Sequence, residues 1–401
     1  QVRSTPLVRE IGGTTYLFVG GGTNQGVYAY DFYTGTTVWE FDLNNGDPLI
    51  GATRYCTFQT AEFGGTPVLF VGTDDGNVAA IDISTGDLWT GWATNPVSLT
   101  YGITQSGAFD GANLYYCTDA LGLDNDVWSL QANTGAVRWT LATGDGLQAD
   151  AIYPAAAVVG ESFRSAVSLN RAKTVLYANS YVSDGDHPSD GVFYGLNTSD
   201  GSIKFAVPSA RSQYTTPVVD QNNVYMGMYS RWLSAPIGGN LVAFNANNGQ
   251  VSWVFSHPND DNYYADLALS CEFNEGYDPL IPDILVAGGH KGFLSFIDTE
   301  EGDEIFHRQI NWGPPFNSMW NGVNITPGDG VDYEYHVVAS MFWGGITVLS
   351  QDMAKVNRPR LELQSYNPNV PVEFGLATSL PTTIPALITN TGGAPLTIND
   401  I

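Results

Sequence analysis

An all-β fold assembled from repeated four-stranded antiparallel sheets is what the sequence predicts, and three observations carry that reading. Glycine is abundant, at 45 of 401 residues, and aromatics reach 12% while charged residues make up only 14%, a profile of short strands and tight turns rather than of helices or disorder. A strand–turn–strand segment, "VYAYDFYTGTTVWEF" at 27–41, recurs along the chain. No apolar run approaches the roughly 18–20 residues that a membrane helix needs.

The first strand of that segment alternates, setting Val27, Ala29 and Asp31 on one face and Tyr28 and Tyr30 on the other. The turn needs a residue with positive φ, which glycine supplies without a Cβ penalty. The segment returns as "NVAAIDISTGDLWTGW" from 77, "DVWSLQANTGAVRW" from 126, "GVFYGLNTSDGSIKF" from 191, "NLVAFNANNGQVSW" from 240 and "GFLSFIDTEEGDEIF" from 292. Its turn glycines are Gly35, Gly86, Gly135, Gly201, Gly249 and Gly302; a seventh copy, "GGITVLSQDMAKV" from 344, keeps the strand and loses the turn glycine. Four residues after the glycine stands a large ring, Trp39, Trp139, Phe205, Trp253 or Phe306, which reads as a wedge between neighbouring sheets. The second copy departs, offering Trp89 and Trp92 instead.

Two further strands precede each hairpin, as in "STPLVREIGGTTYLFVGGG" and "YTTPVVDQNNVYMGMYS", giving four strands per unit. One such sheet cannot cover both its faces, so radial stacking of neighbours is the expected solution: a seven-bladed β-propeller. The expected blades run roughly 1–45, 46–95, 96–145, 146–208, 209–257, 258–311 and 312–357. These segments resemble the repeat of the quinoprotein-like (PQQ-type) β-propellers, a superfamily that includes quinoprotein alcohol dehydrogenases and the propeller lipoprotein of outer-membrane protein assembly.

From about residue 358 the pattern changes. The segments "VEFG" and "ALITNTGGAPLTINDI" resemble choice-of-anchor D and ASPM-SPD2-Hydin-type Ig-like modules, so 358–401 is expected to begin such a sandwich, which takes roughly 100 residues in full. In that family these modules act as spacers and attachment elements. The chain begins at Gln1, consistent with a processed product of a longer multi-domain protein.

Charge narrows the function. The net charge of −26, from 41 acidic and 15 basic residues, repels phosphate backbones and argues against nucleic acid. It suits an extracellular, cell-surface or periplasmic medium. Cys56, Cys117 and Cys271 are widely spaced and odd in number, which excludes a CxxCH haem site and a disulfide-dense scaffold and fits small buried side chains.

In a propeller the starts of the inner strands share one face with the connections between second and third strands, opposite the glycine hairpins. Equivalent inner positions are Thr5, Thr53, Tyr101, Tyr153, Thr215, Asp266 and Trp320, a ring without the paired acids or the nucleophile and base that hydrolysis requires. Four insertions, 181–191, 229–239, 256–266 and 311–322, belong to the same face, where propellers carry function. Tyr229, Arg231, Trp232, Tyr263, Tyr264, Trp312, Phe316 and Trp320 could grip a protein or a sugar there, or pin the loops to the sheet.

Asp184, Asp186 and Asp190 place three hard oxygen donors in one insertion and are the candidate Ca2+ ligands, against the alternative of a solvated acidic turn. His187 and His257 fall in neighbouring insertions and could meet at a zinc ion, but lone exposed loop histidines are the commoner case and are expected here. "NTS" at 197 and "NIT" at 324 are glycosylation sequons.

The resemblance would also admit a PQQ enzyme, but the adjacent-cysteine disulfide of those dehydrogenases is missing, the units number seven rather than eight, and no sialidase Asp-box is present. The reading is therefore a non-catalytic binding or assembly head with a protein partner or self-association and no cofactor. A PQQ- or metal-dependent oxidoreductase and a calcium-dependent carbohydrate binder are the alternatives.

Overall fold

The computed structural model describes the chain except for residues 1–5, 22–25, 43–56, 120–125, 143–160, 183–190, 211, 213–214, 229–239, 258–262, 264–265, 271–283, 290–291, 310–322, 328–332, 341–345, 353–360, 367–371 and 374–401. Among the described residues every regular element is a strand. The chain divides into two compact units, residues 1–234 with 243–252, and residues 235–242 with 253–401.

In the first unit, sheet one consists of β1 (Leu7–Ile11), β2 (Thr14–Gly20), β3 (Gly26–Asp31) and β4 (Thr37–Asp42), in sequence order and antiparallel. Sheet two repeats this with β5 (Gln59–Phe63), β6 (Thr66–Gly72), β7 (Asn77–Asp82) and β8 (Val97–Ser98), and sheet three with β9 (Ala108–Phe109), β10 (Asn113–Cys117), β11 (Asp126–Gln131) and β12 (Val137–Ala142). A short pair, β13 (Glu161–Ser162) with β16 (Tyr181–Val182), flanks sheet four, formed by β14 (Ser168–Leu169), β15 (Val175–Asn179), β17 (Gly191–Asn197) and β18 (Ile203–Ser209). Sheet five, whose residues are divided between the two units, holds β19 (Val218–Val219), β20 (Asn223–Gly227), β21 (Leu241–Asn245) and β22 (Val251–Phe255).

Sheets six and seven belong to the second unit. Sheet six is β23 (Ala268–Leu269), β24 (Ile284–Gly288), β25 (Phe293–Asp298) and β26 (Glu304–Gln309). Sheet seven has five strands: β27 (Val323–Pro327), β28 (Tyr333–Ser340), β29 (Ile346–Asp352), β30 (Leu361–Tyr366) and β31 (Val372–Glu373). Its strand Leu361–Tyr366, beyond the expected boundary at 357, pairs antiparallel with β29.

The apolar core lies between sheets. Phe18, Val27 and Trp39 of sheet one pack with Leu69, Val71 and Ile81 of sheet two, and similar clusters join two to three, three to four, and six to seven. Each buries a face that a lone sheet would leave in water.

The turn glycines explain how successive sheets register. Gly35, Gly86, Gly135, Gly201, Gly249 and Gly302 all have φ between +67° and +80°. From Gly86 onward, each turn is the seat of the preceding sheet's wedge ring. A β-carbon at Gly86 would lie 2.8 Å from Trp39, at Gly135 2.7 Å from Trp92, at Gly201 2.6 Å from Trp139, and at Gly249 and Gly302 2.5 Å from Phe205 and Trp253. Glycine here meets two needs, a left-handed backbone and room for a ring.

The indole N–H completes the seat. Trp39 donates to the Ile83 carbonyl at 2.7 Å, Trp92 to Ala132 at 2.8 Å, Trp139 to Thr198 at 3.0 Å and Trp253 to Thr299 at 2.9 Å, in each case the carbonyl three residues before the turn glycine. Phe205 has no N–H. At that seam Tyr177 supplies the donor, its hydroxyl reaching the Ala246 carbonyl at 2.9 Å. In sheet two Trp92 is the wedge, while Trp89 stacks on Phe63 at 5.3 Å.

Candidate functional site

At the strand ends opposite the glycine turns, the connections of the first unit are tied into one polar relay. The 73–76 turn between β6 and β7 accepts from the segment leading to sheet three: Leu99 N–H donates to Gly76 O at 2.7 Å and Ile103 N–H to Thr73 O at 2.9 Å. Gly76, at φ +90°, leaves no room for a β-carbon, which would lie 2.5 Å from the Tyr101 carbonyl oxygen. Tyr101 is thus set by backbone packing, with its residue half-buried.

Asp119, just past β10, is the centre of the relay. Its N–H donates to Gly102 O at 2.8 Å. Its carboxylate accepts from Thr104 Oγ1 at 3.1 Å, from Ser162 Oγ at 2.6 Å and from Arg164 Nε at 3.3 Å. The Asp119 and Arg164 side chains are 11% and 19% exposed, so this ion pair is partly shielded from water. Three residues from two other connections therefore share the Asp119 carboxylate, a charge-assisted arrangement that fixes loop geometry.

Further along, Ala166 N–H donates to Thr215 O at 3.0 Å, and the buried Thr215 hydroxyl meets Ser212 Oγ at 2.8 Å. In the second unit the Asp266 carbonyl accepts from Val323 N–H at 3.1 Å, linking the segment before β23 to β27.

Of the candidate binding residues, Tyr101, Tyr263 and Asp266 are described. Tyr263 is 1% exposed, so its ring packs inside rather than offering a face to a partner. Tyr153, Tyr229, Arg231, Trp232, Tyr264, Trp312, Phe316 and Trp320, and the candidate calcium ligands Asp184, Asp186 and Asp190, lie outside the described residues. Sequence reading missed Thr104, Asp119, Ser162 and Arg164, which share no short spacing and meet only through the fold.

Two other expectations concern chemistry. Cys117 is a free, fully buried thiol, and burial drives its pKa far up, away from a reactive thiolate. His257 is not an exposed loop histidine. It is buried, its ring 4.3 Å from Phe293 and 4.8 Å from His307.

Repeated antiparallel four-stranded sheets with ring-on-glycine seams define a β-propeller of PQQ-type repeats. The chain belongs to the family described as outer membrane protein assembly factor BamB, whose model matches residues 23–179 and 124–387. Among solved structures it is similar to BamB from Moraxella catarrhalis, at 17% identity and a TM-score of 0.52 over 86% of this chain and 82% of that one. It also matches a computationally designed protein, Ika8, at 12% identity and a TM-score of 0.48 over 86% of this chain and 95% of that one. The first likeness is one of fold, and the second is too slight to argue from. No curated protein matches the chain. Among the described residues no helix is long and apolar enough to cross a membrane.

Proposed function

We propose that this chain is a seven-bladed propeller head that binds another protein, without catalysis, through the face carrying its inter-sheet connections. The observation that carries the reading is the Asp119 relay, which holds the connections of sheets two, three and four in one geometry. A rigid scaffold presenting variable loops is how such folds bind, and the loops here carry Trp232, Trp312, Phe316 and Trp320, aromatic anchors of the kind that dominate protein interfaces. The family's description as an assembly factor points the same way.

On this reading the protein works in a secreted, cell-surface or periplasmic setting, in keeping with its net charge of −26, and residues beyond the last strand of sheet seven lead into an Ig-like spacer. Asp184, Asp186 and Asp190 would clip one insertion through Ca2+.

Native mass spectrometry of the chain isolated from its source, before and after chelation, tests this. The expected result is a stoichiometric protein subunit that dissociates on denaturation. A bound quinone would overturn the reading in favour of an oxidoreductase, and a glycan adduct lost on chelation would replace it with a carbohydrate binder.

A further inference from the structure

Sheet six differs from the repeats that share its fourth-strand bulge in the side chains that the bulge brings together. Its fourth strand pairs Glu304 with Ile297 and Phe306 with Phe296, so Ile305 is a bulge between them. Residues three apart in a regular strand point to opposite faces, but one extra residue restores the phase. Glu304 and His307 therefore share a face, with His307 Nδ1 3.0 Å from Glu304 Oε2. The same bulge in sheets one, three and four sets Thr37 and Glu40, Val137 and Thr140, and Ile203 and Ala206 at the equivalent positions. None of those pairs has two metal-ligating side chains.

A third ligating group arrives from the end of β22. His257 lies two residues past the end of that strand, whose Trp253 is seated on the sheet-six turn through Thr299. His257 follows it onto β26, where its Nε2 lies 3.9 Å from Glu304 Oε1. That carboxylate oxygen is buried and has no hydrogen-bond donor among the described residues. One ligand atom from each of the three side chains lies within 4.8 Å of the others.

We infer that His257, Glu304 and His307 form a site for a divalent transition ion of the zinc class. Two imidazoles and one carboxylate are a ligand set that Zn2+ takes, with bonds of about 2.0–2.2 Å that put tetrahedral donors roughly 3.3 Å apart. The two Glu304 oxygens lie 3.0 Å from His307 Nδ1 and 3.9 Å from His257 Nε2, distances that bracket that value, and with all three donors within 4.8 Å of one another rotamer adjustment closes the site. Ligation uses the neutral His307 tautomer that carries its proton on Nε2, leaving the Nδ1 lone pair for the ion. Buried His257 and Phe293 wall the site on one side, while the His307 side chain, 47% exposed, gives the ion its entry and leaves a coordination position to water. Bound there, the ion ties the end of β22 to β26.

The test uses the untagged full chain, stripped with chelator and titrated with Zn2+ by calorimetry, with Co2+ absorption reporting geometry. The expected result is one equivalent bound, tetrahedral Co2+ bands, and a melting temperature raised by saturating Zn2+. His307→Ala, at an exposed position, and Glu304→Gln should each weaken binding ~10-fold or more and abolish the shift. The triple change of Asp184, Asp186 and Asp190 to Asn should leave it intact. No binding to the stripped chain, full affinity in both His307→Ala and Glu304→Gln, or loss in the aspartate variant would each overturn the assignment.

Discussion

The two ends of each strand follow different rules. At the glycine-turn end the same contact is made five times, ring on glycine, with an indole N–H or, at one seam, the Tyr177 hydroxyl on the carbonyl three residues earlier. At the opposite end only a local frame recurs, Thr73, Thr118 and Ser180 each bonding through backbone N–H and hydroxyl to the start of the following strand of the sheet. Among the described residues the side-chain ties between connections differ: the Asp119 carboxylate at one, the Thr215 and Ser212 hydroxyls at another. The difference teaches which end is free to vary. Repetition marks what every seam requires for stability, whereas the irregular end is where one protein of this fold can differ from another in what it binds.

If the turn end is structural, its variants should damage stability and spare binding. Trp139→Ala removes a wedge ring and its bond to Thr198 and should cost about 3–5 kcal/mol, read by denaturant unfolding. A loss below about 1 kcal/mol would show that the seam does not depend on its ring.

Gly201→Ala sharpens the same point. It forces a β-carbon onto an alanine at φ +74° and 2.6 Å from Trp139, and should cost about 2–4 kcal/mol. Gly35 has the same turn geometry, φ +67°, but no described atom lies within 4 Å of its added β-carbon. Gly35→Ala should therefore cost only the backbone strain, about 1–2 kcal/mol. Equal losses at both positions would remove the ring from the explanation.

At the irregular end Asp119→Asn keeps the size and removes the charge that Arg164 and Ser162 address. It should cost about 1–2 kcal/mol, less than Trp139→Ala or Gly201→Ala, while reducing partner occupancy by a larger factor than Trp139→Ala does in the folded fraction.

The smallest effect is expected at the seam where tyrosine stands in for tryptophan. Tyr177→Phe should cost about 1 kcal/mol through the lost bond to Ala246. Burial pushes the Tyr177 phenol up to about 12 from an ordinary value of 10. Because the folded pKa is the higher one, its contribution is fully present below pH 10 and is lost as pH rises from 10 to 12. The variant should lack that part of the alkaline decline in melting temperature.

The turn end was legible in the sequence because its parts are local. A glycine and a ring four residues on lie in one hairpin, and the turn's demand for positive φ names the residue type. Even there the ring's acceptor was hidden, since Trp39 and Ile83 are 44 residues apart. The choice between Trp89 and Trp92 was likewise settled by which ring reaches the next turn. The opposite end was legible only as a place. Asp119 gathers Thr104, Ser162 and Arg164 across 15 to 45 positions, with no spacing to betray them. His257 read as a loop residue, and the bulge at Ile305 that brings Glu304 and His307 to one face changes strand phase without leaving a signature in composition.

The most direct test of the binding role is a cross-linking map of the complex isolated from its source. Links to the partner should concentrate at the part-exposed Tyr101, Thr104 and Arg164 and in the insertions at 229–239 and 311–322, with the turns at Gly86, Gly135 and Gly201 unlinked. Links gathered instead at those glycine turns would contradict it.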